Sequence, residues 1–301
     1  MDKRGIIFIL AGSLLWGTTG TTQALAPDSA QPLAIGAMRM LVSGAALMLY
    51  FFLTGGRWNI ARQDLPAFAL GAACMAAYQV CFFAGVRLTG VAVGTIVGIG
   101  ISPVVAGLLG LVFQHENPGA RWVWATLLAV GGCTLLALAG GSGVRVDPLG
   151  MLLAAAAGTA YAVFSLVGKR LFAAYSVELV MAFAFGGAAL LLAPLLPFVD
   201  LSWLAQPRGL AAVLWLALAA TAAAYILFGK GLRRVPLASA VTLSLAEPLT
   251  AGLLGIFLLD ERLNLQMILG MLLIFAGLAV LSFHRMGKKI PAYARQKQTP
   301  S

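Results

Sequence analysis

Two ionisable residues of opposite charge lie deep inside long apolar stretches of this 301-residue sequence. Arg39 interrupts one such stretch in the first half of the chain, and Glu247 interrupts another in the second half. A charged side chain is costly in hydrocarbon unless it faces a cavity or a partner. A zwitterionic molecule would satisfy both residues, with its carboxylate on Arg39 and its ammonium on Glu247. Two alternatives stay open: Glu247 binds an exchangeable proton, or helix ends, hydroxyls or the opposite charge satisfy each residue.

Aromatic and hydroxyl side chains occur at the same depth. Tyr78 and Phe82 are four residues apart and share one helical face, and Trp16, Thr19 and Gln23 form one helical stripe. On a cavity wall such rings would enclose an apolar side chain. The candidate substrate-binding residues are Trp16, Thr19, Gln23, Arg39, Tyr78, Gln79, Phe82, Ser102, Tyr161, Ser165, Tyr225, Ser244 and Glu247.

Ordinary packing or an aromatic belt at the membrane surface is the alternative for these rings. Belt residues lie at the ends of spans, which fits Trp58, Trp122, Trp203 and Tyr225. That position does not fit Trp16 or the other rings near the middle of their spans.

Two prolines, Pro103 and Pro248, also fall near the middle of apolar stretches. Each removes a backbone donor and frees a carbonyl one turn earlier. Two interpretations are open, a hinge and a fixed kink.

The elements that position these residues must be membrane helices. Hydrophobic residues make up 61% of the chain and charged residues 10%, whereas soluble domains carry about 25% charge. A membrane helix needs about 20 apolar residues. Runs of this length predict spans at 5–25, 31–53, 64–86, 91–113, 119–139, 147–168, 176–196, 209–229, 236–258 and 264–284. The fold class is therefore an all-α polytopic membrane protein with ten transmembrane helices.

Lysine and arginine are distributed unevenly across the connections. With the N-terminus inside, fifteen of them fall in inside segments, four fall in outside loops, and Arg39 lies within a span. This asymmetry predicts an inner-membrane protein with both termini in the cytoplasm. It also explains the net charge of +10 without nucleic acid as a partner.

One phrase occurs twice in the chain. PVVAGLLGLVFQHE at 103–116 and PLTAGLLGIFLLDE at 248–261 share seven of fourteen positions, at an offset of 145 residues. The copies fall on spans four and nine, so each half holds five spans, an odd number, and the second half crosses the membrane inverted. Inverted repeats are typical of secondary transporters that work by alternating access around a central cavity. We predict repeats at 1–145 and 146–284, followed by a basic cytoplasmic tail at 285–301.

These features resemble the EamA-like members of the drug/metabolite transporter superfamily. The marks are the repeated phrase, Leu15-Trp16-Gly17-Thr18, Met38-Arg39-Met40 and Leu245-Ala246-Glu247-Pro248. Within the superfamily the sequence is most similar to the YddG-type exporters of aromatic and other amino acids. The resemblance implies a cavity formed by spans 1, 3, 4, 6, 8 and 9, with spans 5 and 10 packed behind it.

The expected function is export of amino acids or similar small metabolites, driven by the substrate gradient or by proton exchange. No Walker A phrase is present, and we expect no cofactor and no metal. Phosphorylated sugars and nucleotide-sugars rank low, because they need several cations in the cavity, and Lys230 is the one candidate that could join the deep Arg39. Other metabolites or cationic drugs are the alternative substrates. An enzyme ranks lowest, since His115 and His284 lie far apart at span ends with no catalytic or metal-ligand spacing around them.

Overall fold

The part of the chain that the structure describes contains ten helical segments that are long and apolar enough to span a membrane. The computed structural model describes residues 2–139, 147–259 and 264–282. The ten predicted spans are confirmed, with ends that differ by a few residues from those predicted. The helices are α1 (Lys3–Ala24), α2 (Pro32–Leu53), α3 (Leu65–Thr89), α4 (Val91–Gln114), α5 (Gly119–Ala139), α6 (Pro148–Leu171), α7 (Val177–Leu192), α8 (Pro207–Leu214), α9 (Ala224–Leu232), α10 (Leu237–Leu243), α11 (Ala246–Leu258) and α12 (Leu265–Ser282). The predicted tail at 285–301 lies outside the described residues.

Side chains and prolines define where several helices begin. Asp2 caps α1, Asp147 caps α6 and Ser176 caps α7, each by accepting a hydrogen bond from a backbone N–H of the first turn. The pKa of Asp2 is lowered from its usual value, mainly by the hydrogen bond from the N–H of Arg4 and to a lesser extent by the guanidinium of Arg234. These local signals fix the ends of the spans near the membrane surface.

Two of the spans are not continuous α-helices. The eighth span consists of α8, a π-helical segment at Trp215–Ala223 and α9. Thr221 donates to the carbonyl of Leu216, five residues earlier, at 2.7 Å, in keeping with the wider turn of a π-helix. The ninth span consists of α10 and α11, separated at residues 244–245.

The helix contacts of the first half are repeated by the equivalent helices of the second half, so the two halves are related by pseudo-twofold symmetry. The α2–α7 and α5–α12 pairs each join equivalent helices of the two halves. The packing of α1 on α9 is matched by that of α6 on α3, and the packing of α1 on α11 by that of α6 on α4. This is the five-plus-five arrangement that the repeated phrase predicts.

The contact between α5 and α12 shows the same relation at the level of single atoms. A Cβ added to Gly132 would lie 2.5 Å from the carbonyl oxygen of Gly270. A Cβ added to the equivalent Gly277 would lie 2.6 Å from the carbonyl oxygen of Ala125. Both pairs of positions differ by the offset of 145, so the two backbones touch symmetrically through small residues.

Because the ten spans alternate in direction, α1 begins and α12 ends at the same membrane face, which we call the terminal face. The other face is called the opposite face. At the terminal face, the Nε atom of Arg121 at the start of α5 donates to the carbonyl of Val280 near the end of α12, at 2.6 Å. Tyr175 in the connection after α6 donates to Asp64 before α3, also at 2.6 Å, and this carboxylate raises the pKa of Tyr175.

Three of the four residues proposed for an aromatic belt at the membrane surface lie inside the protein instead. Trp203 is fully buried, and its indole N–H donates to the carbonyl of Asp200 at 3.0 Å. Trp122 packs between helices, and Tyr225 is buried beside the central cavity. The belt assignment is wrong for these three, because their polar atoms or rings find positions inside the protein. Trp58 is 59% exposed, as a belt residue would be.

Candidate functional site

A central cavity of about 260 Å³ lies between the two halves of the protein. Its lining comes from α1, α2, α3, α4, α6, α9, α10 and α11. All the candidate residues except Ser165 line it: Trp16, Thr19, Gln23, Arg39, Tyr78, Gln79, Phe82, Ser102, Tyr161, Tyr225, Ser244 and Glu247.

Ser165 lies behind the cavity wall. It is fully buried, and its hydroxyl donates to the carbonyl of Tyr161 one turn earlier, at 2.9 Å. This position, on the side of Tyr161 toward the terminal face, does not support its assignment as a direct substrate contact.

The second span contributes to the cavity, which the family resemblance did not lead us to expect. Pro32 and Arg39 of α2 both line it. The helix packs chiefly on α7 and on the π-helical segment, so its backbone stays at the periphery. The long arginine side chain bridges the remaining distance.

Four buried polar atoms of the cavity wall have no hydrogen-bond partner within the described structure. They are the indole Nε1 of Trp16, Nε of Arg39, Nε2 of Gln79 and the hydroxyl of Tyr161. The first three are obligate donors, and the hydroxyl can donate as well. A buried donor left without a partner costs about 1–3 kcal/mol. The four residues that carry these donors all line the cavity, so the unpaired donors lie in its wall.

Glu247 supplies a carboxylate to the same cavity. It lies in the first turn of α11, directly after the interruption of the ninth span. Arg39 is near enough for the two charges to influence each other. Within the described residues the ion pairs below 4.0 Å involve other side chains, so Arg39 and Glu247 do not neutralise each other directly.

An aromatic layer closes the cavity toward the terminal face. The ring of Trp16 lies 4.7 Å from that of Tyr225, 6.3 Å from that of Tyr161 and 5.3 Å from that of Phe228. Phe228 follows Tyr225 by one turn on α9, toward the terminal face. Sequence reasoning missed Phe228, although the spacing of three residues from Tyr225 was available as a signal.

A second group of rings lines the side wall. Tyr78 and Phe82 are stacked with centroids 5.8 Å apart, and Tyr78 lies 6.1 Å from Tyr161. Phe83 and Ile99 also line the cavity and were not among the candidates. Apolar residues in an apolar span give no sequence signal that separates cavity from lipid.

The cavity extends toward the opposite face. Its lining includes Gln23 near the end of α1, Pro32 at the start of α2 and Val86 in the last turn of α3. All three positions lie at that side of the membrane. The cavity thus extends toward the membrane surface at the opposite face and is covered at the terminal face.

The two candidate hinge prolines occupy different surroundings. Pro103 lies inside α4, which continues unbroken through it. Pro248 lines the cavity in the first turn of α11, where a missing N–H is well tolerated. A hinge role remains a prediction for both residues.

The described part of the chain gives little support to a metal site, a disulfide or a second cation in the cavity. No group of three or more His, Cys, Asp or Glu residues there is arranged to hold a metal ion. The thiols of Cys74, Cys81 and Cys133 are free. Lys230, considered as a second cavity cation, instead forms a 3.4 Å ion pair with Glu178.

Comparison with known proteins identifies the family. The model of the EamA-like transporter family matches twice, at residues 3–138 and 148–283. The chain belongs to the EamA-like transporter family. The two matches correspond to the two halves of the fold, and the protein is a multi-pass membrane transporter rather than an enzyme.

Similar proteins span nearly the whole length of this family member. The uncharacterized transporter YwfM of Bacillus subtilis is 45% identical over 92% of this chain and 93% of its own. A probable terminal-alkyne amino-acid exporter of Streptantibioticus cattleyicolor is 28% identical, covering 87% of this chain and 86% of its own. A solved crystal structure superposes with a TM-score of 0.82 at 22% identity, over 93% of this chain and 96% of that one, which supports the fold alone.

Proposed function

We propose that this transporter exports amino acids, with apolar and aromatic ones favoured, across the inner membrane by alternating access. The observation that carries the proposal is the set of unpartnered donors on Trp16, Arg39, Gln79 and Tyr161, in a cavity that also contains Glu247. A solute with several acceptors, bound beside these residues, would supply the hydrogen-bond partners that the protein itself does not give them.

A carboxylate fits the donors. It offers about four acceptor sites on two oxygens, and Arg39 favours it over a neutral carbonyl by charge. Trp16 and Tyr161 come from the first and sixth spans and Gln79 from the third, so the donors approach from several sides.

The ammonium of the same solute fits Glu247, which has no cationic partner within 4.0 Å among the described residues. A zwitterion brings both charges and leaves neither protein charge buried without a partner. Cationic drugs would satisfy Glu247 only, and the four donors would remain unpaired.

The size and the wall of the cavity suit an amino acid with an apolar side chain. At about 260 Å³ the cavity falls slightly below the range of roughly 300–1,000 Å³ found for most ligand pockets, which favours one small solute. The stacked rings of Tyr78 and Phe82 provide an apolar surface. Similarity to a probable amino-acid exporter supports the same class.

We further propose that the terminal face is cytoplasmic, because fifteen of the twenty Lys and Arg residues fall on that side. The domain boundaries at 1–145 and 146–284, with a tail at 285–301, are part of this proposal. Energy comes from the substrate gradient or from a proton that replaces the ammonium on Glu247.

Counterflow in liposomes tests the proposal. Purified protein is reconstituted with unlabelled Phe, Trp, Met, Thr or Lys inside, and uptake of the labelled amino acid is followed with and without a pH gradient. We expect accumulation of Phe, Trp and Met, and strong loss in Glu247→Gln. Glu178→Gln, which alters a carboxylate outside the cavity, serves as the matched control and retains transport.

Failure of all five amino acids to accumulate in sealed proteoliposomes would remove amino acids as the substrate class. Acceleration by a pH gradient would identify the proton as the coupling ion, and its absence would leave the substrate gradient as the driving force.

A further inference from the structure

A polar cluster outside the central cavity joins three spans at the terminal face. Glu116 follows the end of α4, Lys169 lies in the last turn of α6, and Leu237 begins α10. The Nζ atom of Lys169 lies 2.9 Å from Oε1 of Glu116. The backbone N–H of Leu237 donates to both carboxylate oxygens, at 3.0 and 2.7 Å.

The cluster is sheltered and connects the two halves of the protein. The side chains of Lys169 and Glu116 are only 17% and 15% exposed. Lys169 also donates to the carbonyl of Val235, just before α10. Since α4 belongs to the first half and α6 and α10 to the second, the halves cannot separate here without breaking these charged hydrogen bonds.

A second set of contacts reinforces the first, one layer closer to the cavity. The indole N–H of Trp122 on α5 donates to the hydroxyl of Thr242 at 2.9 Å, and the hydroxyls of Thr126 and Thr242 are 3.1 Å apart. Thr242 directly follows Val241, which lines the cavity. The two layers thus lie between the cavity and the terminal face.

The glycines of the repeated AGLLG phrase make room for both layers. A Cβ on Gly107 would lie 2.3 Å from the ring of Trp122, and a Cβ on Gly110 would lie 2.9 Å from Oε2 of Glu116. In the second copy, a Cβ on Gly252 would meet no atom closer than 3.6 Å, from Leu136. The phrase is therefore tightly packed at the terminal side in the first copy and loosely packed at Gly252 in the second.

We propose that Glu116, Lys169 and the N–H of Leu237 form a latch that keeps the cavity closed at the terminal face. Opening of the cavity to that face requires the carboxylate of Glu116 to leave both partners. The latch sets the balance between the two access states, and it acts independently of which solute the cavity binds.

Cysteine accessibility in full-length protein tests the latch without any substrate. In a background with Cys74, Cys81 and Cys133 replaced by alanine, two single reporters are used, Val241→Cys and Gln23→Cys. Val241 lines the cavity next to Thr242 of the covering layer and is 1% exposed, and Gln23 lines the cavity near the opposite face. Each reporter is exposed to a small impermeant methanethiosulfonate reagent from its own side of the membrane.

Glu116→Gln is expected to raise the labelling rate at Val241→Cys from the terminal face roughly tenfold or more and to lower it at Gln23→Cys, because the closed state loses charged hydrogen bonds. Gly110→Ala is the second variant. Its methyl group displaces only the end of the Glu116 side chain, so it tests the latch even where Glu116→Gln does not fold. Glu178→Gln breaks another ion pair, between α7 and α9, and is expected to leave both rates unchanged.

Unchanged labelling at Val241→Cys in Gly110→Ala and in folded Glu116→Gln would overturn the proposal. A rise at Val241→Cys without a fall at Gln23→Cys would also overturn it, because that result describes a local leak rather than a shift between two states.

Discussion

At the scale of single residues, the opposite charges of Arg39 and Glu247 are the feature through which the proposed function selects its solutes. We expect them to recognise different ends of the substrate, so their removal should change selectivity in opposite ways. Arg39→Gln should weaken the binding of phenylpropionate, which has no amine, and spare that of phenethylamine, which has no carboxylate. Glu247→Gln should do the reverse. Each loss should be roughly tenfold or more, since hydrogen bonds to charged groups contribute about 1.5–3 kcal/mol.

Binding of each analogue to the purified protein in detergent is measured as a dissociation constant, which does not depend on residual transport. Glu178→Gln, whose carboxylate pairs with Lys230 away from the cavity, should leave all the values unchanged. Equal loss of both analogues in both cavity variants would indicate that the charges serve the structure of the cavity and not the recognition of substrate.

The hydroxyl of Tyr161 leads to a prediction with opposite effects on stability and binding. It makes no hydrogen bond of good geometry in the described structure, although the hydroxyls of Ser244 and Ser165 lie close to it, so Tyr161→Phe removes a poorly satisfied group and keeps the ring. We expect a melting temperature in detergent that is unchanged or slightly higher. Apparent affinity for phenylalanine should fall by a few-fold to about tenfold, because one hydrogen bond to the carboxylate is lost.

The matched control for this hydroxyl is Tyr50→Phe. Tyr50 lies on the outer surface of α2 and is 42% exposed, so neither stability nor affinity should change. A clear drop in the melting temperature of Tyr161→Phe would mean that the hydroxyl already has a stabilising partner in the empty protein.

Sequence reasoning reached most of the cavity residues because polar atoms in apolar spans are conspicuous. It placed Gln79 and Ser102 at the right depth, and both line the cavity. It could not separate Ser165 from Tyr161, since residues four apart share a helical face and only packing decides which of them is covered. Phe83 carries no polar atom, so nothing in the sequence distinguishes it from a lipid-facing ring.

At the scale of elements, the two copies of the repeated phrase occupy different environments although their sequences match. The Cβ of Gly107→Ala would lie 2.3 Å from the rigid ring of Trp122, whereas that of Gly252→Ala would meet Leu136 at 3.6 Å. We expect Gly107→Ala to lower the free energy of unfolding by about 1–3 kcal/mol through overpacking. Gly252→Ala should be neutral or stabilising, because alanine is favoured over glycine in a helix by about 1 kcal/mol.

Thermal unfolding of the two purified variants in detergent, beside the parent protein, measures this difference. The pair is its own control, since the same substitution is made at equivalent positions of the repeat. Equal destabilisation at both positions would contradict the asymmetric packing of the two copies.

The number of spans and the inverted repeat could be predicted because hydropathy, charge and the offset of 145 are all visible in the sequence. The break in the ninth span could not be predicted from the sequence. Pro103 and Pro248 are equivalent in the phrase, yet α4 stays continuous while the ninth span is interrupted before α11. The π-helical segment of the eighth span is also absent from the sequence pattern, because small apolar residues there permit either turn geometry.

At the scale of the whole molecule, the direction in which the cavity is open depends on how the protein lies in the membrane. The lining extends toward the opposite face at Gln23, Pro32 and Val86, and the Glu116 latch covers the terminal face. With the terminal face cytoplasmic, as the distribution of Lys and Arg predicts, this is the state in which the proposed exporter would release substrate outside the cell. Export then requires the latch to open for loading.

Labelling of single cysteines in intact cells tests this orientation. In the background with Cys74, Cys81 and Cys133 replaced by alanine, Ser29→Cys places a thiol in the exposed connection between α1 and α2, at the opposite face. Asn59→Cys places one in the exposed connection between α2 and α3, at the terminal face. An impermeant maleimide should label Ser29→Cys in intact cells and Asn59→Cys only after permeabilisation. The reverse pattern would place both termini outside, so that the observed state would load substrate from the cytoplasm and the Glu116 latch would guard its release.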